Sequence, residues 1–187
     1  MKPEHMKRAL MVLIPWLILG GMVFSAYLPI FRGEKYLLQV KPRDPRDFFR
    51  GNYVDLEYDF SRGEAKTLPI KLEANKIYHF GDVLYLNLAK VDGILKPVSL
   101  VASADKAQGI RLKVQPRWSM TTNDAYYTLV SGLESFFAPK REAENWEKAL
   151  REGRVLAEVF IDKAGNARLT NLVMQPEKPK PAEDERD

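Results

Sequence analysis

The chain's capacity for chemistry is narrow. It contains no cysteine and two histidines, His5 near the N-terminus and His79 in mid-chain. Thiolate nucleophiles, cysteine-bearing zinc or iron–sulfur centres and a multi-histidine metal site within one folded domain are therefore excluded. Catalysis would have to come from His79 beside one of Ser99, Ser103, Ser119, Ser131 and Ser135, from a serine and a lysine such as Lys106 or Lys113, or from facing carboxylates. No Gly-x-Ser-x-Gly elbow singles out a serine, and no phosphate loop or dinucleotide fingerprint calls for a nucleotide cofactor. His79 reads more simply as a strand residue near a turn.

Three further groups could bind rather than react. Asp55, Glu57 and Asp59 occupy alternate positions, and a row of carboxylates on one strand face could hold a hard cation such as calcium. The simpler reading is a solvated strand face with no metal. Arg43, Arg46 and Arg50 could contact phosphate or lipid headgroups, although Asp44 and Asp47 alternate with them and can neutralise them locally. Trp118, Tyr126 and Tyr127 could offer an aromatic surface for stacking, with core packing as the default.

The elements that must position these groups are mostly strands. Residues 53–60 alternate cleanly, with Val54, Leu56, Tyr58 and Phe60 on one face and Tyr53, Asp55, Glu57 and Asp59 on the other. Strands are also predicted over 36–41, 68–72, 110–117 and 124–131. Residues 82–91 are apolar on both faces, as a central strand would be. Asp92-Gly93 then predicts a tight hairpin, because both central residues of its turn need positive φ. Pro139 opens one helix over 140–152, with Ala143, Trp146, Ala149 and Leu150 on one face and Gly153 as its stop. A last hairpin spans 154–174. The fold class is α+β, mainly antiparallel, with about eight or nine strands.

Before this domain, residues 9–31 carry no charge. As a helix at ~1.5 Å per residue they would reach roughly 35 Å, enough to cross a hydrocarbon core. The mean hydropathy of −0.32 conceals this segregation. The length argues for an uncleaved anchor over a signal peptide. The organisation is then a cytoplasmic head (1–8), a transmembrane anchor (9–31), an extracytoplasmic β-rich domain (32–176) and a charged, proline-bearing tail (177–187) expected to be disordered. Basic residues stand on both sides of the span, but long domains translocate largely regardless of charge, so an N-inside orientation in the inner, cytoplasmic membrane is expected. The net charge of +4 is too small and too dispersed for a nucleic-acid binder.

The octet Gly51-Asn52-Tyr53-Val54-Asp55-Leu56-Glu57-Tyr58 resembles the signature of the GDYXXLXY family of membrane-anchored bacterial proteins. Gly51, Tyr53, Leu56 and Tyr58 match it, while Asn52 stands where the family has Asp. Residues 44–50 are similar to the family's approach to that motif. Gly132-Leu133-Glu134-Ser135-Phe136-Phe137-Ala138-Pro139 resembles its second block, although Lys140-Arg141 follow where Glu-Gly is common. The turn from Asp162 to Gly165 completes the likeness. The resemblance implies a membrane location, and members are often encoded beside a multi-pass membrane protein, which suggests a complex with one; no cofactor is expected.

Read physically, Gly51 and Asn52 make a turn, Leu56 and the Tyr58 ring enter the core, and the buried phenol needs a hydrogen-bond partner. The expected function is a non-catalytic binding or assembly module for a membrane-protein partner. The alternatives are an envelope hydrolase using serine–lysine or carboxylate chemistry, and a binder of cations or small ligands on the acidic strand face.

Overall fold

A computed structural model describes residues 3–43 and 53–175. Gly51, Asn52, Arg46, Arg50 and the tail 177–187 lie outside the described residues.

The first element is a long helix, α1 (Pro3–Arg32), within which Met11–Arg32 is long and apolar enough to cross a membrane. Its side chains from Met11 to Tyr27 are exposed, whereas Leu28 and Ile30 are half-buried and Pro29 is buried. The domain thus touches the helix only through its last turns. Gly33 makes that junction possible: a Cβ there would run into the Pro29 carbonyl and lie 2.9 Å from the Ile161 carbonyl.

The rest is one curled, mainly antiparallel sheet. Its strands among the described residues are β1 (Glu34–Pro42), β2 (Tyr53–Tyr58), β3 (Arg62–Glu64), β4 (Ile70–Lys71), β5 (Leu84–Val91), β6 (Ile94–Val101), β7 (Ile110–Pro116), β8 (Tyr126–Val130), β9 (Ser135–Phe137), β10 (Val155–Ile161) and β11 (Ala167–Met174). One helix, α2 (Lys140–Arg151), lies between β9 and β10. The main path runs β11-β10-β1-β6-β5-β7-β8-β3, with β2 joining β1 to β9 and β4 beside β6. Two pairings, β1 with β6 and β4 with β6, are parallel. The α+β reading holds, and the strands beyond the nine expected are very short pieces, down to the two residues of β4.

Local chemistry accounts for the main elements. β5 lies between β6 and β7, as a central strand does, but only one of its faces is apolar and buried along its length: Leu84, Leu86 and Leu88 are buried, whereas Tyr85 and Ala89 on the other face are half-buried and Val91 is exposed. Asn87, buried in its middle, is satisfied by Ser99 Oγ at 2.9 Å and by the Gln108 N–H. Asp92 and Gly93 both take positive φ, 51° and 82°, as the hairpin turn demands. α2 starts directly after Pro139, buries Ala143, Ala149 and Leu150, turns its charges outward and stops before Gly153 at φ 68°.

β1 leads from the helix exit to the opposite end of the domain. Its nine residues carry the chain roughly 26 Å at ~3.3 Å per residue. Arg43 follows its last residue. Nearness to the membrane in sequence therefore does not place Arg43 beside the helix exit, because an extended strand intervenes.

Candidate functional site

The two motif blocks meet in space. β2 pairs antiparallel with β9, setting Tyr53 opposite Phe137, Val54 opposite Phe136 and Asp55 opposite Ser135. The Leu56 N–H then donates to the Glu134 carbonyl at 2.8 Å. Val54, Leu56 and Tyr58 are fully buried, as the alternation requires.

Tyr58 closes the joint. Its ring stacks on Phe60 at 5.1 Å between centroids, and its hydroxyl donates to the Leu133 carbonyl at 2.9 Å. Burial holds this phenol far above its ordinary pKa, and the nearby Glu134 carboxylate adds to the effect. It stays protonated and remains a donor. Just after β2, Ser61 Oγ accepts from the Tyr58 N–H, and the Leu129 N–H donates to the Ser61 carbonyl at 2.7 Å.

Glu134 holds the loop that carries Leu133. Its carboxylate accepts from the Ser131 N–H, from the Ser131 hydroxyl at 2.9 Å and from the Gly132 N–H at 2.9 Å. Gly132 itself takes φ 80°. Pro139 closes the block at the helix start. A cavity of about 20 Å³ beneath the joint is lined by Arg43, Arg62, Arg117 and Glu134 among others, room for about a single water. The described motif residues therefore make a structural joint, with Tyr53 and Phe137 left on its rim. These two rings meet edge to face at 5.4 Å and remain more than half exposed.

The acidic row is a paired face. Glu57 takes a forked salt bridge from Arg62, with Nε 3.0 Å from Oε1 and Nη2 3.2 Å from Oε2, and Asp59 accepts from Lys41 Nζ at 2.8 Å. Asp55 is half-buried and also has an interaction. No group of three or more acidic or imidazole side chains suited to a metal occurs among the described residues.

The structure does bring His79 to a serine. Its Nδ1 lies 2.9 Å from Ser119 Oγ, because an isolated antiparallel bridge between Tyr78 and Met120 sets the two segments side by side. Both residues are exposed. The neighbouring Asp82 carboxylate accepts from the His79 backbone N–H at 2.8 Å rather than from the ring. Among the described residues no carboxylate is hydrogen-bonded to the imidazole, as the orienting group of a serine–histidine–aspartate relay would be. Periodicity could not have found this contact, since it depends on a single bridge between two loops.

Large apolar side chains next to this bridge in sequence are open to solvent. Phe80 is 70% and Trp118 71% exposed, with Ile77 and Val83 also exposed. The predicted aromatic trio divides: Tyr126 is exposed like Trp118, whereas Tyr127 is buried in the core, and that burial raises its phenol pKa against the opposing Thr67 hydrogen bond. By the strand directions this surface lies at the end of β5 away from the helix exit, since Val91, at the other end, pairs with Ile94, which pairs with Leu37 early in β1.

A family model described as GDYXXLXY protein matches residues 15–172. No curated protein and no solved structure matches the chain.

Proposed function

The chain belongs to the GDYXXLXY family, and from that membership we propose that it is a single-pass, membrane-anchored module whose β-rich domain engages a membrane-protein partner without catalysing a reaction. The observation that carries this reading is the contrast between the two kinds of surface. Leu56, Tyr58 and Glu134 of the motif blocks and Glu57 and Asp59 of the acidic row are engaged in internal pairing, whereas Phe80, Trp118, Ile77 and Val83 are exposed. Large exposed rings of this kind are typical of protein contact surfaces, where rigid aromatic side chains contribute most of the binding free energy.

On this reading α1 inserts in the inner membrane with its N-terminus in the cytoplasm, and the domain of residues 32–176 stands outside it. The apolar stretch Met11–Arg32 and its full exposure up to Tyr27 support the anchor. A phosphatase reporter that is active only outside the cytoplasm, fused after Asp187, is expected to be active in cells; an inactive fusion alongside an active cytoplasmic reporter would reverse the orientation.

Extraction of the full chain in a mild detergent tests the partner. The expected result is a complex larger than the monomer that contains a second membrane protein. A chain that runs as a free monomer with its anchor intact counts against the proposal.

A further inference from the structure

We propose that the end of the domain beside the membrane helix is a binding site for the phosphate of an anionic membrane lipid. A cavity of about 120 Å³ there is lined by Arg32, Glu34, Tyr36, Arg111, Asp162 and Lys163, among others. Arg32 is the last residue of the apolar span. The cavity thus begins where the helix leaves the hydrocarbon, at the level of the headgroups. The inference rests on the anchor reading and is independent of which way the anchor points.

The cations come from distant parts of the sequence and are fixed by backbone contacts. The Arg111 Nε donates to the Lys163 carbonyl at 2.8 Å and its Nη1 to the Ala104 carbonyl at 2.8 Å. This locks the guanidinium in place without neutralising it. Among the described residues no carboxylate forms a salt bridge with Arg32, Arg111 or Lys163. The two carboxylates on the wall accept hydrogen bonds from neutral groups. Glu34 accepts from the Tyr36 hydroxyl at 2.8 Å, and Asp162 accepts from the N–H groups of Ala164 and Asn166 and from the Asn166 side chain. A planar guanidinium lining the same cavity as a lysine suits a phosphate, which accepts from both.

The Asp162–Gly165 turn builds this arrangement. Gly165 takes φ 86°, its carbonyl accepts from the Lys113 N–H at 2.8 Å, and a Cβ on it would lie 3.3 Å from the Arg111 carbonyl oxygen and the Lys113 nitrogen. Glycine lets the turn close onto β7, and that closure sets Lys163 next to Arg111. Arg168, one residue into β11, lies over the Tyr27 ring of α1 at 5.8 Å and ties the same hairpin to the membrane helix. The wall carries three basic side chains, Arg32, Arg111 and Lys163, against the two carboxylates Glu34 and Asp162.

The test uses the full chain in phosphatidylcholine vesicles, with and without phosphatidylglycerol, read by amide hydrogen exchange after flotation. Exchange over residues 104–111 and 162–168 is expected to slow when phosphatidylglycerol is present. Lys163→Glu, an exposed substitution, is expected to abolish that slowing, whereas Lys163→Arg and Lys148→Glu on α2 retain it. Equal exchange in both vesicles, or slowing that survives Lys163→Glu, overturns the proposal while leaving the anchor intact. The same slowing produced by inorganic phosphate in phosphatidylcholine vesicles assigns the site to a free phosphate and overturns the lipid. A chain that floats with neither vesicle overturns the anchor reading and this inference with it.

Discussion

Tyr58→Ala is expected to destabilise the domain by about 3–5 kcal/mol, the usual range for emptying a large aromatic site. Tyr58 is 2% exposed, is stacked on Phe60 and donates to the Leu133 carbonyl. Removing the ring opens a cavity at the point where β2, β9 and the start of β3 converge. It also leaves a carbonyl without its donor in a region where every buried side-chain polar atom among the described residues is satisfied. Set against a typical domain stability of roughly 5–15 kcal/mol, that loss is severe. Tyr58→Phe isolates the hydroxyl: it keeps the ring and should cost about 1–3 kcal/mol for the unsatisfied carbonyl. Chemical denaturation of the full chain in detergent reads both variants. A Tyr58→Phe protein as stable as the parent would mean that the hydroxyl serves something other than the joint.

Glu134→Ala is the second large effect. One carboxylate serves three donors from Ser131 and Gly132, and hydrogen bonds to a charged acceptor contribute about 1.5–3 kcal/mol. Losing it frees the loop that presents the Leu133 carbonyl to Tyr58, so the two substitutions act on one joint and their effects should fall short of additive. Glu134→Gln keeps an acceptor oxygen and should lie between parent and alanine in the same denaturation experiment. Full stability of Glu134→Ala would remove the structural reading of the second motif block.

Much of this joint was legible one strand at a time. The alternation from Tyr53 to Phe60 identifies the buried face, and it calls for a hydrogen-bond partner to the Tyr58 phenol without naming it. The partner, Leu133, lies 75 residues along the chain. β9 has three residues, too few to show a period, so its pairing with β2 leaves no pattern to read. The Asp92-Gly93 turn and α2 were legible because their signals are local: positive φ in one case, and an apolar stripe bounded by Pro139 and Gly153 in the other.

Charges were harder to read, since their partners come from elsewhere. Asp59 looks like a candidate cation ligand until Lys41 arrives from β1, and Glu57 until Arg62 arrives from β3. Arg111 and Lys163, 52 residues apart, look ordinary until the Asp162 turn folds onto β7. In each case the sequence identifies the group, and its surroundings are set by long-range pairing.

We propose that the motif blocks hold the domain together while the exposed aromatic side chains engage a membrane-protein partner. The most direct measurement compares the parent with a Phe80→Ser, Trp118→Ser double variant, both extracted in the same mild detergent and sized after affinity capture. Both side chains are more than two-thirds exposed, so the variant should keep the parent's stability. The prediction is that the parent carries a membrane protein that the variant loses. A variant that retains the same partner to the same extent, or a parent that runs alone as a monomer, would contradict the claim.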